Sequence, residues 1–416
     1  MHILASSLVS SLGSGKIEHV NALLNGTTGL SSKMPFHSKI SEIETYLGEV
    51  KQLEDIQLPS ELLSFHCRNN QLAWQALQSN GFAQKVQRLI KRFGAQRIGL
   101  VVGTSTSGIM ATEEVFSGEL AHEDYDYEKT DQMGVLAQFC CEALNIQGPS
   151  FVISTACSSS AKVFSVAQRW LNANIVDVVV AGGVDTLCLT TVHGFNALGL
   201  VSKNICKPLD VQRDGISIGE AGGFVLLGDK HNKHIMSENF ESLVEVVGVG
   251  ESSDAYHISS PHPEGKGAQL AMLSAMEQAG ISIDDVDYIN LHGTATSSND
   301  ISEISAISHL VNLNSQIWIS STKGFVGHTL GAAGITEIIF CQWALEEQFV
   351  PANLNLEQLD PVLALKLESE LAAKSVKVPL KSESLTTEQP KMIYAMSNSF
   401  GFGGNNASVL LKKEGA

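Results

Sequence analysis

The chain has 416 residues, of which 17% are charged and 44% are hydrophobic, and it contains 36 glycines. Its 27 Lys and Arg against 44 Asp and Glu give a formal net charge of −17, so no basic surplus exists to neutralise nucleic-acid phosphates. A disordered chain is excluded as well, because disorder requires more charge and fewer apolar residues than this sequence has.

The N-terminal residues Met1–Val9 lack a basic region and a long apolar run, so we expect no signal peptide. No run of about 18 apolar residues occurs, and we expect no membrane span. The seven cysteines are spread widely and form no C-x-x-C pair, which is typical of reduced thiols in a cytoplasmic protein. His257 and His262 lack a third ligand at suitable spacing, so we expect no metal site.

Short runs rich in Val and Ile predict strands, and stretches of helical period lie between them. The predicted strands are Arg97–Val102, Ser150–Ser154, Val176–Ala181, Gly223–Leu227, Leu243–Val249, Val286–Leu291, Ile317–Ser320, Met392–Ser397 and Ala407–Leu411. The predicted helices are Ser158–Ala173, Gly265–Ala279, Asp300–Leu310 and Gly331–Glu347. This alternation predicts an α/β fold with buried sheets.

The pattern divides into two similar halves, each of which ends in a glycine-rich turn followed by an apolar strand. These turns are residues 219–223 and 401–404. We place the division in the polar stretch between them, which gives halves of residues 1–237 and 238–416. A second polar segment, residues 374–390, is predicted to form an exposed loop.

Cys157 lies at the junction between a predicted strand and a predicted helix, in a run of small residues. Near a helix N-terminus, free backbone N–H groups and the helix dipole lower the pKa of a thiol. The same N–H groups can hold the oxyanion that forms when a thiol attacks a carbonyl. The alternative is a buried structural cysteine, and this residue alone does not decide between the two.

Two histidines follow predicted strands in the second half. His292 ends one strand before a loop rich in Thr and Ser, and His328 lies in a glycine-rich loop after another strand. Each histidine alone fits a structural role. Two histidines at strand ends, together with Cys157 at a third strand end, favour a shared reactive site.

These motifs resemble those of the β-ketoacyl-(acyl carrier protein) synthases, which are condensing enzymes of the thiolase superfamily. The resemblance covers nearly the whole chain. It rests on T-A-C-S-S-S at 155–160, H-G-T-x-T at 292–296, K-G-x-x-G-H-x-x-G-A-A-G at 323–334 and N-S-F-G-F-G-G at 398–404. It implies a thiolase-like fold, in which two βαβαβαββ halves stack in five layers, α-β-α-β-α, and a protein that is normally dimeric.

The resemblance also implies roles for the residues of these motifs. Cys157 matches the nucleophile that takes an acyl chain from a carrier-protein thioester. The backbone N–H groups of Cys157 and Phe402 match the oxyanion hole, and Phe402 together with Phe400 lies at the gate of the site. His292 and His328 match the two histidines that hydrogen-bond the malonyl thioester oxygen, on which the enolate charge falls after decarboxylation.

Further residues match supporting positions of the family. Lys323 and Glu303 match a structural ion pair beside the histidines. Thr294 and Thr296 match residues that hydrogen-bond a phosphopantetheine arm, and Thr106 falls near the position that sets the depth of the acyl pocket. The implied partner is acyl carrier protein, whose phosphopantetheine arm carries the substrate, and no permanently bound cofactor is expected. The implied dimer is formed with a second copy or with a related ketosynthase or chain-length-factor subunit.

The leading prediction is decarboxylative Claisen condensation of malonyl-carrier with an acyl group on Cys157, which gives a 3-oxoacyl carrier. The Asn-Asp pair in the loop at 296–300 resembles ketosynthases of aryl polyene and type II polyketide pathways. One alternative is an initiating condensing enzyme or a thiolase, against which the family context of His328 argues. The other is a non-catalytic or weakly catalytic subunit of the chain-length-factor type, which the presence of Cys157 disfavours.

An acidic carrier protein needs a local basic patch on an acidic chain such as this one. Two groups of basic residues are candidates, and ordinary solvated surface is the alternative for both. They are Lys203, Lys207 and Arg213 and, at helical spacing, Lys85, Arg88, Lys91 and Arg92.

Overall fold

The computed structural model describes residues 1–33, 35–40, 42–232, 235, 240, 243–312, 316–367, 376–385 and 391–415. The described strands are β1 (His2–Ser10), β2 (Gly13–Ser14), β3 (Leu47–Gly48), β4 (Ile98–Gly103), β5 (Ser150–Ile153), β6 (Val178–Asp185), β7 (Ile218–Gly219), β8 (Ala221–Gly228), β9 (Val244–Ser253), β10 (Tyr288–Asn290), β11 (Ile317–Ser320), β12 (Phe349–Val350), β13 (Val376–Lys377), β14 (Glu383–Ser384), β15 (Tyr394–Gly401) and β16 (Asn405–Lys413). The described α-helices are α1 (Lys16–Asn25), α2 (Arg68–Gln78), α3 (Phe82–Phe93), α4 (Ile109–Ser117), α5 (Tyr127–Thr130), α6 (Val135–Leu144), α7 (Ser159–Asn172), α8 (Leu189–Ala197), α9 (Lys266–Ala279), α10 (Ser297–Ser308), α11 (Lys323–Val326), α12 (Ala333–Glu347) and α13 (Pro361–Leu367).

A mixed sheet runs through the molecule in the order β13-β11-β10-β15-β16-β9-β1-β8-β6-β4-β5. Its two parts are joined between β1 and β9, where His2 pairs with Glu245 and the Val246 N–H donates to the Met1 carbonyl at 2.8 Å. In the first part β5, β4 and β6 are parallel, and β8 and β1 follow antiparallel. In the second part β11, β10 and β15 are parallel, and β16 and β9 follow antiparallel. The two parts therefore repeat one pairing order.

The predicted division between residues 237 and 238 lies outside the described residues. Residues 374, 375 and 386–390 of the predicted exposed loop also lie outside them. The described part of that segment, residues 376–385, contains β13, which pairs with β11, and β14, which pairs with β12.

Successive side chains of one strand enter two different cores, as the period-two alternation of a strand requires. Val101 and Val179 pack in the core that holds α7 and α12, whereas Val102 and Val180 pack in the core that holds α2, α3 and α6. A third core joins α9, α10 and α13 to the other side of the second sheet part. The result is the five-layer arrangement α-β-α-β-α that the family resemblance implies.

The predicted strands and helices all correspond to described elements, with ends that differ by up to four residues. β1 is not among the strands predicted above, although it lies at the centre of the sheet and is buried along its whole length. In the part of the chain that the structure describes, no helix has both the length and the apolar composition needed to cross a membrane.

His19 on α1 is completely buried beside β1 and gives the fold a pH-dependent element. Its Nδ1–H donates to the Gly15 carbonyl at 2.7 Å and its Nε2 accepts from the Ser10 hydroxyl at 2.8 Å. The ring packs 5.6 Å from that of Trp343. Burial lowers the pKa of His19 from 6.5 to about 4, so the folded state holds the imidazole neutral.

We expect the stability contributed by neutral His19 to be present above pH 6.5 and to be lost as the pH falls toward 4. A shift of this size corresponds to about 3 kcal/mol. In urea unfolding at pH 7.5, the unfolding free energy of wild type should be higher than that of His19→Gln. At pH 4 the difference between the two proteins should be smaller by about 3 kcal/mol. A difference that stays constant across this range would contradict the assignment.

Candidate active site

Cys157 lies in a tight turn between β5 and α7, and its side chain is 7% exposed. Ala156 before it has a left-handed backbone, with φ 51°, which is a strained conformation for a residue with a Cβ. Neighbouring serines hold this turn. The Ser158 hydroxyl donates to the Thr155 carbonyl at 2.9 Å, and the Ser159 hydroxyl donates to the Ala156 carbonyl at 2.5 Å. The turn is thus fixed by hydrogen bonds in which the thiol has no part.

His328 is the side chain in hydrogen-bond contact with the thiol, with Nε2 3.0 Å from the Cys157 sulfur. Its Nδ1 accepts the backbone N–H of Leu330 at 3.3 Å. A backbone N–H can only donate, so Nδ1 carries no proton and the neutral ring carries its proton on Nε2. His328 therefore presents an N–H donor, and not a base, to the centre of the site.

His292 follows β10 and completes the group. Its ring centroid lies 5.3 Å from that of His328 at an angle of 86°, and 6.0 Å from the ring of Phe400. One ligand atom each from Cys157, His292 and His328 lie within 4.8 Å of one another. A cysteine and two histidines are a zinc-type ligand set. However, a metal at His328 Nε2 would require the proton to move to Nδ1, where the Leu330 N–H already lies, so the site suits a donor role better.

Glu303 on α10 holds the backbone of the His292 loop. Its carboxylate accepts the N–H groups of His292 at 2.9 Å and Gly293 at 2.8 Å, and the Asn398 amide at 3.2 Å. The predicted ion pair between Lys323 and Glu303 is therefore wrong.

Lys323 instead pairs with Glu337, a carboxylate on α12 that the sequence analysis missed. Both side chains are buried. Burial raises the pKa of Glu337 to about 7 against the opposing effect of the Lys323 charge. The available signal was a single acidic residue in the otherwise uncharged stretch 333–345, which marks a buried charge that needs a partner.

The predicted low pKa of the Cys157 thiol is also wrong. Burial raises the pKa of Cys157 to about 11, and the Lys323 charge and the backbone N–H groups of Phe402 and Cys157 offset only part of that effect. Burial likewise lowers the pKa of His292 and of His328 well below the ordinary value. At neutral pH the resting site therefore holds a neutral thiol between two neutral imidazoles.

The Phe402 loop closes the site on one side. The backbone N–H groups of Phe402 and Cys157 lie close enough to the sulfur to lower the pKa of the thiol. The oxyanion hole expected from these two groups stays a prediction. The Phe402 ring lies 5.5 Å from that of Phe195, and Gly403 N–H donates to the Ile258 carbonyl at 2.7 Å. Gly403 has φ 77°, a left-handed turn that glycine adopts without strain.

A narrow cavity of about 60 Å³ reaches the sulfur from the surface and brings most of the predicted residues together. Thr294 and Thr296 line it, and their hydroxyls lie 2.9 Å apart. Thr106 does not line this cavity. It is buried elsewhere, and its hydroxyl donates to Asp185 at 2.9 Å. The remaining predicted residues on the lining are Cys157, His292, His328, Phe400 and Phe402.

The first basic cluster is not a surface patch. Arg213 is buried, with Nη1 2.6 Å from Asp360 and Nε 3.5 Å from Asp300, and Lys207 pairs with Glu357 at 2.7 Å. The second cluster lies on α3, which packs on the face of the first sheet part opposite to α7. Since Cys157 directly precedes α7, neither cluster forms a basic patch at the cavity.

Comparison with known proteins gives a consistent assignment. The family models "Beta-ketoacyl synthase, N-terminal domain" and "Beta-ketoacyl synthase, C-terminal domain" match residues 60–232 and 243–357. The chain belongs to the β-ketoacyl synthase family.

Relatives in this family are similar over much of the chain. A 3-oxoacyl-[acyl-carrier-protein] synthase 2 from Vibrio cholerae is 32% identical over 82% of this chain and 80% of its own length. The enzyme of the same name from Rhizobium meliloti is 36% identical over 64% of this chain and 62% of its own length, so the matched segment spans less than two thirds of that relative.

A solved ketosynthase structure is also similar. It is the complex of the ketosynthase ApeO with its chain length factor ApeC from Xenorhabdus doucetiae, which matches at 33% identity with a TM-score of 0.84. The match covers 99% of this chain and 97% of that one. The β-ketoacyl synthase fold seen here is thus the thiolase-like fold of ketosynthases.

We expect a double-mutant cycle to separate the two possible partners of Lys323. Lys323→Met or Glu337→Leu alone should cost about 3–5 kcal/mol of unfolding free energy, because each leaves an unpaired buried charge. The double variant should recover much of that loss. Lys323→Met combined with Glu303→Gln should be additive within about 0.5 kcal/mol. Stronger coupling of Lys323 to Glu303 than to Glu337 in urea unfolding would contradict the observed pairing.

Proposed function

We propose that this chain is a decarboxylating 3-oxoacyl-(acyl carrier protein) synthase. The observation that carries the proposal is the contact between the Cys157 sulfur and His328 Nε2 at 3.0 Å, with the His292 ring beside it and two backbone N–H groups at the sulfur. Cys157 supplies the nucleophile. The two backbone N–H groups supply donors for the oxyanion of the acylation step, and the two histidines supply donors for the enolate oxygen of the condensation step. Family membership and the relatives named above support the same chemistry.

In the first step the Cys157 thiol attacks the thioester carbonyl of an acyl carrier. The N–H groups of Cys157 and Phe402 hold the tetrahedral oxyanion. The carbon–sulfur bond to the phosphopantetheine arm breaks, a new thioester forms on Cys157, and the thiol proton leaves with the departing sulfur. The nearby Lys323 charge favours the thiolate that develops during this attack.

In the second step a malonyl carrier binds, with its arm hydrogen-bonded to the hydroxyls of Thr294 and Thr296, which line the cavity. Loss of carbon dioxide leaves the electron pair as an enolate, whose charge falls on the thioester oxygen. His328 Nε2–H and the His292 ring donate to that oxygen, and their low pKa values keep both rings neutral. The enolate carbon then attacks the Cys157 thioester. A carbon–carbon bond forms, and the released thiolate takes up a proton.

The other functions considered from the sequence are less well supported. An initiating condensing enzyme or a thiolase would have Asn or Cys in place of His328. A chain-length-factor subunit would lack the nucleophile, whereas Cys157 is present in contact with His328. We further propose a cytoplasmic protein, which the seven unpaired cysteines support. The aryl polyene or polyketide assignment rests on the loop at 296–300 alone.

We expect the two chemical steps to respond differently to two substitutions. Cys157→Ala should abolish the acyl adduct that intact-protein mass spectrometry detects after incubation with acyl carrier. His328→Ala should keep that adduct and lower condensation with malonyl carrier by about 10²-fold or more, because one oxyanion donor is lost. Wild-type protein that gains no adduct on Cys157 would refute the proposed function, and unchanged condensation in His328→Ala would refute the role of that residue.

We also propose assembly through β5, which lies at one edge of the sheet. An open edge strand offers unpaired backbone groups to a second strand. Phe151 on this strand is 53% exposed, and Met133 beside it is 39% exposed. Both line a groove of about 530 Å³ between β5 and α6. An exposed apolar edge of this kind is typical of a subunit interface.

The charge next to this edge favours a non-identical partner. Residues 119–131, which we call the acidic segment, hold six Asp and Glu and one Lys, a net charge of 1 − 6 = −5. Residues 130–134 join this segment to the groove beside β5. A two-fold homodimer through β5 places the same patch on both sides of the interface. Two acidic segments would then face each other, which supports a related subunit with a less acidic face.

We expect wild type alone to be mainly monomeric at about 0.1 M salt and to associate at about 1 M salt, where the Debye length falls to about 3 Å. Glu123→Lys/Glu128→Lys changes the charge of the acidic segment from −5 to 3 − 4 = −1, so this variant should dimerise at about 0.1 M salt. Glu264→Lys/Glu277→Lys, at exposed positions elsewhere, is the matched control and should behave as wild type. Light scattering that finds a salt-independent wild-type dimer would contradict the argument.

A further inference from the structure

Asp185 is a buried carboxylate at the end of β6 that the chemistry above does not use. It is fully shielded from solvent and has no Lys or Arg partner among the described residues. Six donor groups surround it instead. They are Thr104 Oγ1 at 2.6 Å, Ser105 N at 3.0 Å, Ser105 Oγ at 2.5 Å, Thr106 N at 3.0 Å, Thr106 Oγ1 at 2.9 Å and Gly331 N at 2.5 Å.

These donors come from two loops that are far apart in sequence. Thr104, Ser105 and Thr106 follow β4, which lies beside β6 in the sheet. Gly331 belongs to the turn that follows His328. A buried carboxylate costs several kcal/mol unless its oxygens are fully hydrogen-bonded, so both loops must keep these positions. The carboxylate therefore joins the loop after β4 to the turn after His328.

The turn after His328 has little freedom to sit elsewhere. Leu330 has φ 55°, a left-handed conformation that a branched residue holds only when its surroundings enforce it. A Cβ on Gly331 would lie 2.6 Å from the Asp185 carboxylate and 2.7 Å from Ser105 N, so the turn rests directly on these groups. This strained turn carries the Leu330 N–H that His328 Nδ1 accepts.

We propose that Asp185 is a positioning residue for His328: by holding Gly331 it keeps the Leu330 N–H on Nδ1 and so fixes the ring proton on Nε2, toward the sulfur. The inference rests on the proposed function, since a donor at Nε2 matters only if an oxyanion forms there. With the turn released, the ring is free to carry its proton on Nδ1. Its Nε2 would then be an acceptor and would repel the enolate oxygen.

The test is Asp185→Asn, which keeps the size of the side chain but directs an amide NH₂ at groups that are themselves donors. Acylation of Cys157 should stay within about 3-fold of wild type, because the turn at Cys157 does not involve Asp185. Condensation should fall by about 10²-fold, which is the effect of losing one oxyanion donor. In protein with ¹⁵N-labelled histidine, the His328 signals should move from the Nε2–H tautomer toward a mixture, with His328→Gln used to assign them.

Asp287→Asn is the matched control. Asp287 is a half-buried carboxylate that also accepts backbone N–H groups, from Ile393 at 2.6 Å and Tyr394 at 2.8 Å, but it does not line the cavity. This variant should lose stability while leaving the ratio of the two steps and the His328 tautomer unchanged. The proposal is refuted if Asp185→Asn lowers the rates of acylation and condensation equally and leaves the His328 tautomer unchanged.

A milder variant covers the case in which Asp185→Asn does not fold. Ser105→Ala removes one donor to Asp185 and also the hydroxyl that lies 3.2 Å from Gly331 N. It should lower condensation more than acylation and shift the tautomer in the same direction. A folded Ser105→Ala protein with no such change would overturn the proposal. Wild type that takes up no acyl group would instead refute the proposed function, and the tautomer measurement would still decide the role of Asp185.

Discussion

Helix α12 has no exposed face from Ala333 to Leu345, because one part of the sheet packs against it on each side. Helices α7 and α12 form the middle layer of the fold, and several groups of the candidate site lie on or next to these two helices. His328 lies just before α12, Glu337 lies within it, and Cys157 lies just before the neighbouring helix α7. Since a close-packed interior does not deform continuously, the packing of the two sheet parts sets the separation of sulfur and imidazoles.

The same burial decides the charge of each group. The thiol and both imidazoles are neutral because a low-dielectric interior disfavours their charged forms. The ion pair of Lys323 with Glu337 is the exception. The Lys323 charge lowers the pKa of Cys157, His292 and His328 together, so it favours a thiolate and disfavours an imidazolium. Neutral N–H donors in a buried site of low dielectric constant also stabilise an oxyanion more strongly than they would in water.

The sequence predicts the parts of the structure that depend on local pattern. Val- and Ile-rich strands and the turns at Cys157, His292 and His328 follow from short motifs, and the structure brings those three residues together. β1 has no clear alternation, because Ser6, Ser7 and Ser10 are buried in the middle of the sheet together with its apolar residues. Its position depends on neighbours that are distant in sequence, so periodicity does not reveal it.

Errors arise where a property depends on burial or on contacts between distant segments. The partner of Lys323 is 14 residues away on the next long helix. The isolated acidic residue in stretch 333–345 marks a buried charge, but the local sequence does not say which cation it meets. The pKa of Cys157 follows from desolvation, which sequence position near a helix N-terminus does not report. Arg213 appears in a basic run but is buried among carboxylates. Asp185 carries no motif, and only the converging loops make its role visible.

The hydrogen bonds at the nucleophile turn have an evolutionary consequence. Ser158 and Ser159 hold the backbone around Cys157, and the sulfur supports none of that geometry. Exchange of the thiol for another small side chain would therefore end the chemistry while leaving the fold intact. Gene duplication followed by loss of one side chain is then enough to turn an active subunit into a silent one that still has the shape to assemble.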